Sequence, residues 1–184
     1  MLALVHPKAN IFGVDIAENL ITFACKQACY NGVGHRVHFE VMPAEFLRYP
    51  DDFFDVVYGV AIVHHVDIDK TSQEVKRVLK NGGRAIFVEP LGENPLLEFL
   101  RKRIPHPNKN RSPDEKPLRY SEIKKLMKPF SNRQIKEYEL AAAITRVVRS
   151  QCLLNILNKM DSILFKFFPK LKRFCRIVIF EFQN

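Results

Sequence analysis

The sequence predicts an α/β fold built on an open parallel sheet. Three observations carry this expectation. Through residues 1–100, short β-rich apolar runs alternate with helical patterns, the rhythm of parallel strands joined by crossover helices. The 184 residues are 47% hydrophobic and include 15 Phe, enough for one compact domain with a core. No internal repeat or low-complexity tract interrupts the pattern, which sets aside solenoid, fibrous and disordered classes.

The elements follow in order. Residues 9–15 (ANIFGVD) read as a buried strand ending in an acidic residue. Residues 18–30 follow with Leu20, Ile21, Ala24 and Ala28 at helical spacing, and Asn31-Gly32-Val33-Gly34 stops that helix. Residues 37–41 and 54–58 (FDVVY, bounded by Gly59) are the second and third strands. Residues 69–80 form a helix with Ile68, Val75, Val78 and Leu79 on its apolar side. Asn81-Gly82-Gly83 terminates it, and residues 84–89 (RAIFVE) are the fourth strand. After Pro90 the texture changes. A helix over 94–104 leads into a polar, Pro-rich loop at 105–117. A helix over 121–128 has Ser121 as its N-cap, and a strand follows near 134–140. An apolar, weakly amphipathic helix spans 153–168, and 175–182 (CRIVIFEF) is the last strand. The whole reads as one domain, residues 1–184, with a cap-like insertion at 91–130.

Charge is distributed unevenly. The formal net charge is +9. Residues 1–100 carry a net −4, residues 101–136 a net +9 and residues 137–184 a net +4. A basic second half suits either an anionic partner (nucleic acid, a phosphorylated substrate, or an anionic membrane surface reached through 101–136) or a simply solvated basic face. Nucleic acid is the weaker reading, because no binding motif is present and residues 101–119 lack regularly interleaved aromatics. No run of about 18 apolar residues suits a membrane span, and the N-terminal apolar stretch is too short for a signal peptide. Four cysteines without an export signal read as reduced thiols, so a cytoplasmic protein, at most membrane-peripheral, is expected.

Several motifs, taken together, resemble the class I methyltransferases that use S-adenosylmethionine. Phe12-Gly13-Val14-Asp15-Ile16 before a helix is similar to the end of that family's second strand. Pro43-Ala44-Glu45-Phe46-Leu47, then Asp52-Phe53-Phe54-Asp55-Val56-Val57, resembles its adenine loop and fourth strand. Val63-His64-His65 resembles the hydrophobic-His-His segment that follows, and residues 75–88 (VKRVLKNGGRAIFV) its helix, turn and fifth strand. Glu89-Pro90-Leu91-Gly92-x-Asn94-Pro95-Leu96, with Asp114-Glu115-x-Pro117-Leu118, resembles a subgroup acting on small molecules or lipids. These motifs span about 60% of the chain, in the family's order and spacing.

The resemblance implies a Rossmann-like sheet, mostly parallel with an antiparallel last strand and helices on both faces. It implies S-adenosylmethionine as cofactor and a small-molecule or lipid-type acceptor. The cofactor would lie beyond the carboxyl ends of the strands. Asp15 would accept the ribose hydroxyls, Ile16 would lie against adenine, Ala44 and Glu45 would flank its other face or edge, and Gly59 would complete the cofactor set. Pro43 brings neither an N–H nor a side-chain acceptor, so a hydrogen bond at that edge falls to backbone carbonyls or Glu45. His64 and His65 are the catalytic candidates, because a positioned His can take the acceptor's proton.

One family element is absent. None of the seven glycines forms the Gly-rich loop that follows the family's first strand. Residues 1–8 resemble only the tail of the helix after it. The expectation is therefore a domain lacking its first strand, with impaired activity. Two further readings stay open: a non-catalytic interaction module of the same fold, and a nicotinamide-dependent enzyme, whose ribose would also suit Asp15. Cys25 and Cys29 with His35 and His38 have no consistent zinc geometry, and the cysteines read as helix packing. Glu89 could contact substrate or cap the following turn, with the structural role favoured, and the stretch 156–174 reads as core, ahead of a helix on an anionic membrane surface or a lid over a lipid-like acceptor.

Overall fold

A computed structural model describes residues 2–103, 116–141 and 151–184. All but the last two residues of the loop read at 105–117 lie outside this set. The chain separates into two compact units, Met1–Pro50 and Asp51–Asn184.

The first unit contains α1 (Leu2–Val5), β1 (Ile11–Asp15), α2 (Glu18–Tyr30) and β2 (Val37–Val41). The two strands pair in parallel, from Ile11 opposite Val37 to Asp15 opposite Val41. A Cβ on Gly13 would meet the Phe39 ring at 2.6 Å, so only glycine lets that ring lie across β1. Ala3, Ala28, Val33 and Val37 form a small core, with Ile11 and Phe39 packed against it. Arg36 ties α1 to this sheet by donating to the carbonyls of Ala3, His6 and Ala9. The predicted α2 face is only partly used. Ile21 and Ala24 are half-buried and Ala28 buried, but Leu20 and Phe23 are exposed. Cys25 and Cys29 are exposed as well, so they do not serve as helix packing.

The second unit contains β3 (Phe54–Val60), α3 (Ile68–Val78), β4 (Leu79–Pro90), α4 (Pro95–Arg103), α5 (Tyr120–Leu126), β5 (Ser131–Tyr138), α6 (Gln151–Phe167) and β6 (Ile177–Gln183). Its four strands lie in the order β3-β4-β6-β5. β3 runs parallel to β4, and β6 runs antiparallel to both its neighbours. The last strand is thus the antiparallel one, as the resemblance implies. Among the described residues, β1 and β3 each have a strand partner on one side only.

One face of this sheet carries the main core. Ala85 and Phe87 of β4 and Val178, Phe180 and Phe182 of β6 pack with α3 and α5 through Val75, Ile123 and Leu126. The Asp67 carboxylate caps α3 by accepting from the amides of Asp69 and Lys70, and those bonds hold its pKa low.

Two boundaries differ from the sequence reading. The Asn81-Gly82-Gly83 turn lies inside a strand: β4 starts at Leu79 opposite Phe54, then slips so that Val56 faces Arg84. Gly82, at φ 78°, absorbs that irregularity. At the start of α5, Ser121 is not the cap. Glu122 reaches back to accept from the Arg119 amide at 2.7 Å, which moves the helix start one residue earlier. The stretch 156–174, expected to be core, is also different: Ile156, Met160, Ile163, Phe167 and Phe168 are exposed. No helix among the described residues is long and apolar enough to cross a membrane.

Candidate functional site

Four of the predicted cofactor residues come together in the first unit, at the carboxyl ends of its two parallel strands. Asp15 closes β1, and its carbonyl accepts from the amide of Met42, just beyond β2, at 3.2 Å. Its carboxylate Oδ1 accepts from the Ala17 amide at 2.8 Å, which turns the chain into α2. Ile16 follows and is 76% exposed. Beyond β2, residues 43–46 make a tight turn closed by the Phe46 amide donating to the Pro43 carbonyl, with Ala44 and Glu45 half-buried at its corner.

Val41 and Phe46 are also exposed, so these strand ends carry a carboxylate beside an apolar surface. Sequence reasoning missed those two. Their signal was an apolar residue closing the second strand and another inside the 43–47 motif. The segment after the turn folds back onto the sheet: the Tyr49 hydroxyl donates to Glu40 at 3.2 Å, and its ring packs edge-on to Phe12. Burial, then the Glu40 carboxylate, pushes the Tyr49 phenol up to about 12.

The remaining candidates lie in the second unit. A Cβ on Gly59 would meet the Phe87 ring at 2.6 Å and Ile62 at 2.8 Å, so packing accounts for this glycine. Past β3, residues 63–65 form a single helical turn. The His64 side chain is only 2% exposed, and its Nδ1 lies 2.7 Å from Glu89 Oε2. Glu89 Oε1 accepts from the amides of Ile62 and Val63, each at 2.8 Å. A carboxylate with this set of partners is met best by an Nδ1–H donor, which assigns the ring its tautomer. The His65 ring centroid lies 4.0 Å from that of His64, and His65 is the exposed residue of the two. Glu89, left as structural by the sequence, is thus the hub of this turn. Its parity was the clue: Ala85, Phe87, Glu89 and Leu91 alternate into the core.

Comparison with known proteins points to a family. The methyltransferase domain family profile matches residues 1–87. An uncharacterized methyltransferase, YcgJ of Bacillus subtilis, is 34% identical over 125 residues, 67% of this chain and 47% of the relative. In sequence and fold the chain is similar to the class I methyltransferases. Another member, the ubiquinone/menaquinone biosynthesis C-methyltransferase UbiE of Geobacter sulfurreducens, is 34% identical over 84 residues, 45% of this chain and 33% of that protein. The chain therefore spans about half the length, or less, of the curated relatives it matches.

Solved class I methyltransferase structures share the Rossmann-like α/β fold. The YcgJ crystal structure gives a TM-score of 0.61 at 24% identity, covering 99% of this chain and 86% of the other. A geranyl diphosphate C-methyltransferase from Streptomyces coelicolor, bound to S-adenosyl-L-homocysteine, gives 0.67 at 15% identity, covering 99% and 66%.

Proposed function

We propose that this chain uses S-adenosylmethionine and serves methyl transfer to a small-molecule or lipid-type acceptor. The observation that carries the reading is Asp15 at the end of β1, with exposed Ile16 and the 43–46 turn beside it. A strand-end carboxylate can accept both hydroxyls of a ribose, and Ile16, Val41 and Phe46 offer apolar surface to a planar base. Ala44 and Glu45 would line the base's edge. The bound cofactor supplies an electrophilic methyl group. Holding the acceptor in line with that methyl is the chain's main contribution to rate. Within the second unit, exposed His65 is a side chain able to take a proton, while Glu89 holds His64 and the 62–65 turn in place. The lipid-type acceptor is supported by relatives named for ubiquinone, menaquinone and geranyl diphosphate.

Calorimetry with S-adenosylmethionine tests this. Without a Gly-rich loop, these 184 residues should bind it weakly, and a low-micromolar Kd would overturn the expected impairment. In a longer form that carries such a loop ahead of Met1, binding should be tight, and Asp15→Ala should weaken it by about 1–3 kcal/mol. Unchanged affinity would reduce Asp15 to the start of α2. No binding by the longer form would favour an interaction module.

We also propose that the basic stretch 101–136 attracts anionic membrane surfaces. Its net charge of +9 supports this, with Lys124 and Lys125 on α5 and Lys128 in the turn after it. Lys125 also bonds Asp69 at 2.6 Å. Attraction of about 1 kcal/mol per basic residue should fade at high salt.

A further inference from the structure

We propose that α6 is a docking face for an anionic lipid bilayer, lying in the interface plane with its outer stripe among the lipids. The helix has two different long faces. Its inner face includes half-buried Leu154, Leu157, Leu164 and Phe165 and buried Asp161. The Asp161 carboxylate accepts from the amides of Leu140 and Ala141 at 3.0 and 2.9 Å, which pins the helix and fixes the face turned away.

That outer face is apolar. Ile156, Met160, Ile163 and Phe167 follow at spacings of four, three and four, all at least half exposed and Phe167 74% exposed. Phe168 continues the stripe beyond the helix end. A stripe of this size in water marks an interaction surface.

Charge selects the occupant. Lys159 and Lys166 fall on one flank of the stripe, and Lys170 and Lys172 follow in the next turn. The only acidic residue from 151 to 174 is Asp161, which is buried and engaged on the opposite side. An apolar stripe edged by lysines suits acyl chains below anionic headgroups, the arrangement of helices that lie on membranes. The helix has 17 residues, about 25 Å, and it lies along the surface rather than through it. This inference does not depend on methyl transfer, and it gives α6 the apolar contact with a bilayer to which residues 101–136 add electrostatic attraction.

Vesicle flotation of the whole chain tests it, with phosphatidylcholine alone and with about 30% phosphatidylserine. The chain should partition about tenfold better onto the anionic vesicles, and this preference should shrink at 1 M salt. Ile163→Asp with Phe167→Asp should lower partitioning about tenfold or more, with unchanged circular dichroism. The triple change Lys124→Glu, Lys125→Glu, Lys128→Glu should weaken the preference for anionic vesicles but leave the remaining binding sensitive to the α6 double change. A nitroxide at Ile163→Cys, with Cys25, Cys29 and Cys152 replaced by Ser, should gain oxygen accessibility on anionic vesicles. The proposal is overturned if the intact chain binds neither vesicle, if the α6 double variant binds as the parent does, or if the nitroxide stays in water. A loss confined to the lysine triple variant would overturn it and leave the basic stretch as the contact.

Discussion

Among the described residues, Met1–Pro50 has one small buried cluster, Ala3, Ala28, Val33 and Val37, none larger than valine, with Met42 buried outside it. Residues Asp51–Asn184 bury fourteen in one cluster among the described residues, with Phe87, Phe130, Phe180 and Phe182 stacked or tilted against one another. Yet the smaller unit carries the Asp15 strand end, where Ile16, Val41 and Phe46 stand exposed. Apolar area removed from water is what offsets chain entropy, so the residues proposed to hold the cofactor sit on the weaker scaffold. The larger unit invests its apolar surface in a core and adds a buried polar hub at Glu89.

The sharpest way to break this contrast is through the larger core. Phe180 is fully buried and lies against Phe87 and Phe182. Phe180→Ala should destabilise Asp51–Asn184 by about 3–5 kcal/mol, seen as a lowered denaturant midpoint. By hydrogen exchange, the amides of β6 should lose protection while those of β2 stay as they were. Equal loss in both strands would show one cooperative unit instead of two.

A smaller effect is expected at the polar hub. Glu89→Ala strands the amides of Ile62 and Val63 and the His64 ring, and should cost about 2–3 kcal/mol. Glu89→Gln keeps a carbonyl oxygen for the two amides and should cost about 1 kcal/mol. If alanine proved neutral in chemical denaturation, the apolar core alone would hold this unit.

How much of this was legible in the sequence depends on the kind of signal. The strands of both units were readable because short, β-rich apolar runs between turn residues leave few alternatives. Asp15 and Ile16 accordingly lie at the end of one strand, and Ala44 and Glu45 just beyond the end of its neighbour. Tertiary hydrogen bonds were not readable. Nothing local distinguishes Glu122 closing α5 from Ser121 doing so, or shows that Glu89 would bond His64 across 25 residues. Gly82 signals a turn equally well when it bends a strand. On 156–168, periodicity showed which residues share a face, but only the structure shows that the face is uncovered.

The last and smallest effect compares the units through their thiols. Cys25 and Cys29 in the first unit are exposed, as is Cys152 on α6, whereas Cys175 is buried beside β6. Burial pushes the Cys175 thiol up to about 12, and nearby Asp161 adds to the shift by repelling a thiolate. The thiolate is the reacting form, so the folded chain should resist modification at Cys175 far above pH 8. The sign of the linkage follows. A thiol whose folded pKa lies above its unfolded value of 9.0 contributes stability that is whole below pH 9.0 and is lost as pH rises toward about 12. At pH 8, a disulfide reagent should label three thiols quickly and the fourth only after denaturant is added, as mass spectrometry of digested peptides would report. At pH 10 the same three-to-one split should persist. Four equal rates in the native chain would mean that β6 opens as readily as the first unit does, and the contrast in packing would fall with it.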